Sequence, residues 1–215
     1  MRSDRPTPGD PWPHDMVITV EDRPHVLLEL LWLREAHALS PTGVDLPPPL
    51  MATPASAVNT VDDATRSQWE ADWGDVWERA ASHAGLESDR RLFDRLRSTA
   101  DGSPERESLL HAMVGPSWGD QHGRKVFDDQ SYRSWERDGM DALLASRQQP
   151  ASLENEPERR DLDVLIPAWR AGLTKIVVIP CQGEHTRKLG SNALLVTDAT
   201  RAESSRYRRA LSAFA

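Results

Sequence analysis

The sequence contains a single cysteine, Cys181, among its 215 residues. One cysteine cannot form a disulfide bond within the chain, and it excludes zinc sites that are built from several cysteines. A chain of this length buries roughly 70% of the surface that it exposes when unfolded, so neither kind of cross-link is needed for stability. We therefore predict one globular domain, with or without a small subdomain, that is stabilised by a hydrophobic core.

Long apolar segments are also missing. No run approaches the ~20 residues that cross a bilayer, and the N-terminal MRSDRPTPGDPWPHD has no apolar centre of a secretory signal. We therefore expect a cytoplasmic protein without a membrane partner. Lysine is scarce as well, and nearly all basic residues are arginine. This bias is typical of GC-rich bacterial coding, so we do not interpret it as a functional signal.

Several familiar catalytic and cofactor-binding motifs do not occur. The sequence has no GxxxxGK[ST], GxGxxG, GxSxG or HExxH motif, and its seven histidines are scattered along the chain. We therefore predict no cofactor and no metal site. The absence of a local motif is only weak evidence against catalysis, because active sites are assembled across a fold.

Charge is unevenly distributed along the chain. The net charge of −8 disfavours a nucleic-acid partner. Residues 170–215, however, carry eight basic and three acidic side chains, whereas residues 1–169 carry 18 basic and 31 acidic ones. A basic C-terminal segment on an acidic body could bind an anionic partner, and an ordinary solvated surface is the alternative interpretation.

Hydrophobic periodicity predicts a mainly helical body over residues 16–147. We expect a flexible lead at residues 1–15 and a first strand at 16–20, followed by helices that have recognisable ends. Asp62 or Thr60 caps the second helix, Gly85 ends it in a left-handed conformation, and Ser88 caps the third. The predicted helices span residues 25–39, 62–84, 88–99, 103–114 and 128–147, with Leu92, Phe93 and Leu96 facing inward and a loop at 115–125.

The C-terminal part predicts a small α/β unit over residues 158–215. Residues 148–157 are polar and contain proline, as linkers do. A helix that Pro167 kinks or splits precedes two apolar strands at 175–180 and 193–197, and a final helix begins near Asp198 or Thr200. The 180s form either a hairpin loop or an extended arm. The fold class is therefore α+β, a helical body with a helix-strand-strand-helix element that the N-terminal strand can join.

The stretch WEADWGDVWERA places Trp69, Trp73 and Trp77 on one face of a helix, because i, i+4 and i+8 drift by only about 80°. The polar residues lie off this face, so the tryptophans are the apolar stripe of an amphipathic helix. This favours core packing. A partner interface and a small-ligand pocket between this helix and the helix at 25–39 are the alternatives.

The segment PCQGEHTRK is the main candidate for chemistry. Cys181 follows a predicted strand and could act as a nucleophile, with His185 as its base and Glu184 nearby. Arg187 or Lys188 could hold an anionic substrate. The alternative is a buried structural cysteine, because free cysteine is among the most buried residue types.

Three functions follow from these patterns. The leading hypothesis is a non-catalytic protein that binds a protein partner, such as an immunity protein, an accessory subunit or an assembly component, and a homo-oligomer also remains open. Its binding residues would form a basic C-terminal face, comprising Arg187, Lys188, Arg206, Arg208 and Arg209. The alternatives are the Cys181–His185 enzyme and a small-ligand-binding protein with a tryptophan-lined pocket.

Overall fold

The computed structural model describes residues 11–87, 89–148 and 155–215. In this part of the chain the helices are α1 (His25–Ala36), α2 (Asp63–Ala84), α3 (Arg90–Ser98), α4 (Pro104–Val114), α5 (Trp118–His122), α6 (Gln130–Gln148), α7 (Pro157–Arg160), α8 (Leu162–Arg170), α9 (Asp198–Ala202) and α10 (Ser204–Phe214). A 3-10 helix covers Lys125–Asp128. The strands are β1 (Thr19–Glu21), β2 (Lys175–Ile179), β3 (Thr186–Leu189) and β4 (Ala193–Thr197).

The four strands form one sheet in the order β1-β2-β4-β3. Strand β1 pairs with β2 in parallel, with Thr19 opposite Lys175. Strand β2 pairs with β4 in parallel, with Ile179 opposite Thr197, and β3 is an antiparallel edge strand. The N-terminal strand therefore joins the C-terminal strands, as the sequence suggested, and three neighbouring strands point in the same direction.

Helices cover both faces of the sheet. Side chains alternate along a strand, so Val177 and Leu195 belong to a core with α1 and α2. Ile176 and Leu194 belong to a second core, which contains α8 and α10. Strands that are buried on both faces are continuously apolar, as the sequences KIVVI and ALLVT are.

The tryptophan stripe of α2 packs into the first of these cores. Trp73 and Trp77 are fully buried, and their rings stack with centroids 5.3 Å apart. The indole Nε1 of Trp73 donates a hydrogen bond of 2.9 Å to the carbonyl oxygen of Leu30 on α1. Trp69 is half-buried at the edge of the same core. The helix face is therefore a packing face against α1.

Helix caps were predicted with mixed success. Asp62 caps α2 by accepting a hydrogen bond from the Thr65 backbone N–H, and Ser103 caps α4. Gly85 is not left-handed, because its φ of −73° continues the helical conformation. Ser88 lies outside the described residues, and Asp89 caps α3 by accepting from the Arg91 N–H.

Two predictions for the middle of the chain were wrong. Phe93 was expected to face inward but is 51% exposed, because α3 packs mainly on α4 and leaves its outer face to solvent. The predicted loop at 115–125 contains α5, which begins with a capping box between Ser117 and Asp120. Tertiary burial of Trp118 stabilises this short helix, which its own sequence would not.

The structure decides between the alternatives that the sequence left open in the C-terminal unit. The 180s are partly extended, because they contain β3, which pairs with β4. Helix α8 is not split at Pro167, which lies inside it. The final helix is two helices, because Thr197 caps α9 and Glu203 caps α10. The first strand is also shorter than MVITV, since it covers only Thr19–Glu21.

The predicted lead and linker are only partly within the described residues. Residues 1–10 of the lead and 149–154 of the linker lie outside them. Trp12, which belongs to the predicted lead, is 6% exposed and packs in the core of α8 and α10. At the level of class, the α+β prediction is confirmed. None of the helices in the described ranges is long and apolar enough to cross a membrane.

Candidate functional site

A cleft of about 980 Å³ opens at the carboxyl ends of the three parallel strands. Asp22 follows β1, Pro180 follows β2 and Asp198 follows β4, and all three line this cleft. In sheets of parallel strands, ligands bind in the crevice outside these ends. The volume lies at the upper end of the range of roughly 300–1,000 Å³ that small-molecule sites occupy.

One wall of the cleft is the segment at residues 50–55, which has no regular structure but is firmly anchored. Arg34 of α1 donates hydrogen bonds of 2.6 and 2.7 Å to the carbonyl oxygens of Pro47 and Pro48. The Met51 N–H donates to the Pro180 carbonyl at 2.9 Å. These contacts place the apolar side chains of Leu50 and Met51 at the end of β2.

The other end of this wall is attached to the beginning of α6. The Ser131 hydroxyl donates a hydrogen bond of 2.5 Å to the Ala55 carbonyl. The carboxylate of Asp129 accepts from the Asn59 backbone N–H at 2.8 Å. Because the wall is attached at both ends, the cleft is formed before a ligand arrives, which reduces the entropic cost of binding.

Helix α6 forms the opposite wall. Its lining residues recur at helical spacing, so they form one face of the helix; they are Ser131, Ser134, Trp135, Asp138, Gly139, Ala142 and Leu143. Gly139 allows a close approach of Arg23, because a Cβ at that position would lie 2.7 Å from the Arg23 Nη1. The glycine that weakens this helix therefore makes room for a charged group of the cleft.

A mostly buried ion pair fixes the position of Arg201, which lines the cleft. Arg201 donates two hydrogen bonds of 2.9 and 2.8 Å to the Glu158 carboxylate, and the Tyr207 hydroxyl donates to the same carboxylate at 2.9 Å. Desolvation would raise the pKa of Glu158, but the bonds and charge of Arg201 outweigh it, and the pKa is lowered. Arg201 is thereby fixed with Nη1 3.6 Å from the Asp22 carboxylate.

Asp198 is accessible to solvent through the cleft. The surrounding protein nevertheless desolvates its carboxylate, and this raises its pKa, with a further increase from the charge of Asp22 and a partial offset from Arg201. The cleft thus contains a carboxylate that is reachable from solvent and is less well hydrated than a surface carboxylate.

The predicted nucleophile lies outside this cleft lining. Cys181 is fully buried, and desolvation by burial raises the pKa of its thiol to about 12, with only a partial offset from Arg34. Burial also lowers the pKa of His185, whose backbone N–H bonds to the Thr200 hydroxyl. Across the described ranges no hydrogen bond joins Cys181 to His185. This geometry does not favour a Cys–His pair, because catalysis requires the thiolate.

We expect the Cys181 thiol to be unreactive in the folded protein. An aromatic disulfide reagent at mildly alkaline pH should label the native chain negligibly, because burial disfavours the thiolate. The same reagent should label one thiol per chain after unfolding in guanidinium chloride, which serves as the control. Rapid stoichiometric labelling of the native protein would contradict this prediction and revive the nucleophile hypothesis.

The predicted basic face is largely paired with carboxylates of the same chain. Arg208 donates two hydrogen bonds to Asp163 at 2.6 and 2.7 Å, and Arg209 donates to Glu184 at 2.7 Å.

The remaining members of the face have similar partners. Arg187 donates hydrogen bonds to the Glu78 carboxylate through Nη1 and Nη2, and Nε of Arg206 lies 3.3 Å from the Glu203 carboxylate. The Lys188 ammonium donates to the Phe214 carbonyl at 2.8 Å. Their role in binding a partner stays a prediction, and the pairing reduces the charge that such a partner would meet.

The sequence interpretation did not identify the residues of the cleft. Asp22 and Asp198 directly follow strands, which is the signal that could have revealed them once the strands were known to be parallel. Trp135 and Gly139 lie within a helix whose sequence contains no catalytic or binding motif. No signal in the sequence alone connects α6 to the end of the sheet.

The comparisons with known proteins do not indicate a function for this site. No family model matches the chain, and no curated protein or solved structure matches it either. Within the residues that the structure describes, no group of three or more His, Cys, Asp or Glu side chains could hold a metal ion. The function must therefore be argued from the geometry of the cleft.

Proposed function

We propose that this protein binds a small organic molecule in the cleft at the carboxyl ends of β1, β2 and β4. The observation that carries the proposal is the convergence of all three parallel strands on one preformed cavity of about 980 Å³. The sequence interpretation included a small-ligand protein as an alternative but assigned the pocket to the helices at 25–39 and 62–84. The cleft lies instead between the sheet end and α6.

The composition of the walls supports this function. Leu28, Leu50 and Met51 give an apolar surface, and Met51 is 55% exposed although it is a large hydrophobic residue. Trp135 adds an aromatic surface to the same lining, which also contains Asp198 and Arg201. Small-molecule sites combine apolar walls with a few well-placed polar groups in this way.

Binding of a protein partner through the basic face has less support. Its arginines form ion pairs within the chain, and a partner would have to replace these pairs with no net gain of charge interactions. An exposed ion pair contributes little to stability, but it competes with an external carboxylate for the same guanidinium. A ligand that packs against apolar lining residues of the cleft, such as Leu50 and Met51, does not have to displace an ion pair from them.

The proposal predicts that a bulky side chain in the cleft abolishes binding. A library of soluble metabolites would be screened by native mass spectrometry against the wild type and Ala142→Trp. Ala142 is exposed to the cleft, so an indole at this position occupies the cavity without overpacking the core. We expect compounds that bind the wild type to lose at least tenfold in affinity, since about 1.4 kcal/mol of lost contact suffices.

A matched control is available on the same helix. Ala145 is also exposed but does not line the cleft, so Ala145→Trp should bind the same compounds as the wild type. Circular dichroism would verify that both variants are folded. Compounds that bind equally well to Ala142→Trp bind elsewhere, and that result would refute the proposed function.

A further inference from the structure

The charges of the cleft that are not already paired have a negative excess. Asp138, Glu156 and Asp198 line the cleft, and among the described residues none of them forms an ion pair. Among the described lining residues, Arg23 is the one guanidinium without an ion pair, because Arg201 is held by Glu158. Within this part of the chain, three unpaired carboxylates against one unpaired guanidinium leave an excess of two negative charges.

The environment strengthens the attraction of these carboxylates for a cation. A cleft with low-dielectric walls concentrates the field of the charges that line it. Asp198 is surrounded by enough protein to be partly desolvated, so a cation beside it is less screened by water than one at an open surface.

The uncharged walls define the remainder of the ligand. Trp135 offers an aromatic surface on the α6 side, and Leu50, Met51 and Pro54 line the facing wall. A flat or apolar body would bury area against these side chains. An ammonium group held close to an indole ring gains a further cation–π attraction.

We propose that the cleft binds an organic cation, an amine that carries an apolar or aromatic body. This inference rests on the proposed function and specifies its ligand class. The carboxylates of Asp138, Glu156 and Asp198, which line the same cleft, attract the ammonium group, and the apolar body packs against Trp135 and the segment at 50–55. The guanidinium of Arg23, which lies next to Gly139 of α6, is available to a hydrogen-bond acceptor of the ligand or to solvent.

The test compares three probes that share one ring system and differ in charge. Naphthylmethylamine, naphthylmethanol and naphthoate would be titrated into the full-length protein by calorimetry at low ionic strength. We expect the amine to bind about tenfold more tightly than the alcohol, because hydrogen bonds between charged groups are stronger than those of a neutral hydroxyl. The naphthoate should bind more weakly than the alcohol, and added salt should reduce the preference.

Substitutions test whether the cleft carboxylates cause the tighter binding of the amine over the alcohol. The double variant Asp138→Asn, Asp198→Asn should bind the amine and the alcohol with similar affinity. The double variant Asp75→Asn, Asp94→Asn is the control, because it removes the same two charges from exposed positions outside the cleft lining and should retain the preference. Circular dichroism would show that each variant is folded.

The outcomes separate this inference from the proposed function. If the amine does not bind, or binds no better than the alcohol, the cation inference is wrong. If all three probes bind equally and Ala142→Trp abolishes all of them, the inference fails while the cleft remains a binding site. If Ala142→Trp binds the amine as tightly as the wild type does, the amine binds elsewhere and both proposals fail.

Discussion

Replacement of Trp73 by alanine is expected to lower the free energy of unfolding by about 3–5 kcal/mol. The indole is fully buried, stacks on Trp77 and donates to the Leu30 carbonyl. Its removal therefore leaves a large cavity between α1 and α2. A loss of this size is a large part of the 5–15 kcal/mol that stabilises a typical domain.

The measurement is urea unfolding followed by far-ultraviolet circular dichroism, which does not depend on tryptophan emission. Trp73→Phe keeps an aromatic ring and loses the N–H donor, so we expect a smaller loss. Trp69→Ala is the control on the same helix face, because Trp69 is only half-buried. If Trp73→Ala and Trp69→Ala lowered the free energy of unfolding equally, the stability loss would not depend on burial, which would contradict this prediction.

Replacement of Glu158 by alanine is expected to lower the free energy of unfolding by about 3 kcal/mol, which is the second large effect. The Glu158 side chain is 7% exposed, and it accepts hydrogen bonds from Arg201 and Tyr207. The substitution leaves a mostly buried guanidinium without its carboxylate, and removal of one partner from such a pair is strongly destabilising. Thermal and urea unfolding would both measure the loss.

A second ion pair with the same geometry provides the control. Asp163→Ala removes the carboxylate that binds Arg208 through two hydrogen bonds, but Asp163 is 67% exposed. Solvent screening makes such pairs nearly neutral in stability. A loss for Asp163→Ala as large as that for Glu158→Ala would contradict the role given to burial.

The Glu158 interaction also predicts a dependence on pH. Its pKa is lowered in the folded state from the ordinary value of 4.5, so the unfolded chain binds the proton first. The stabilisation is therefore fully present above pH 4.5 and is lost as the pH falls through the lower folded pKa. The stability difference between the wild type and Glu158→Gln should shrink over that acidic range. A difference that stayed constant would exclude this linkage.

Local signals predicted much of the secondary structure because they depend on neighbours in the sequence. The β-branched runs KIVVI and ALLVT are strands, and Asp62 caps α2. The spacing of Trp73 and Trp77 predicted a buried stripe. Errors arose where distant contacts decide the outcome, as in α5, which Trp118 holds in the core.

The candidate site was not predicted, for the same reason. Cys181 was the most conspicuous residue for chemistry, but its reactivity depends on burial, and the fold encloses it. Asp22, Asp198 and Trp135 carried no motif. Their proximity depends on the parallel pairing of β1, β2 and β4 and on the position of α6.

The sequence by itself determined the elements of this protein, namely amphipathic helices, two apolar strands and an α+β class. These features follow from periodicity and propensity, which act over a few residues. Only the tertiary structure decided that three strands run in parallel and that their carboxyl ends open into one cleft. Strand pairing depends on contacts between residues far apart in the chain, and a local pattern does not specify them.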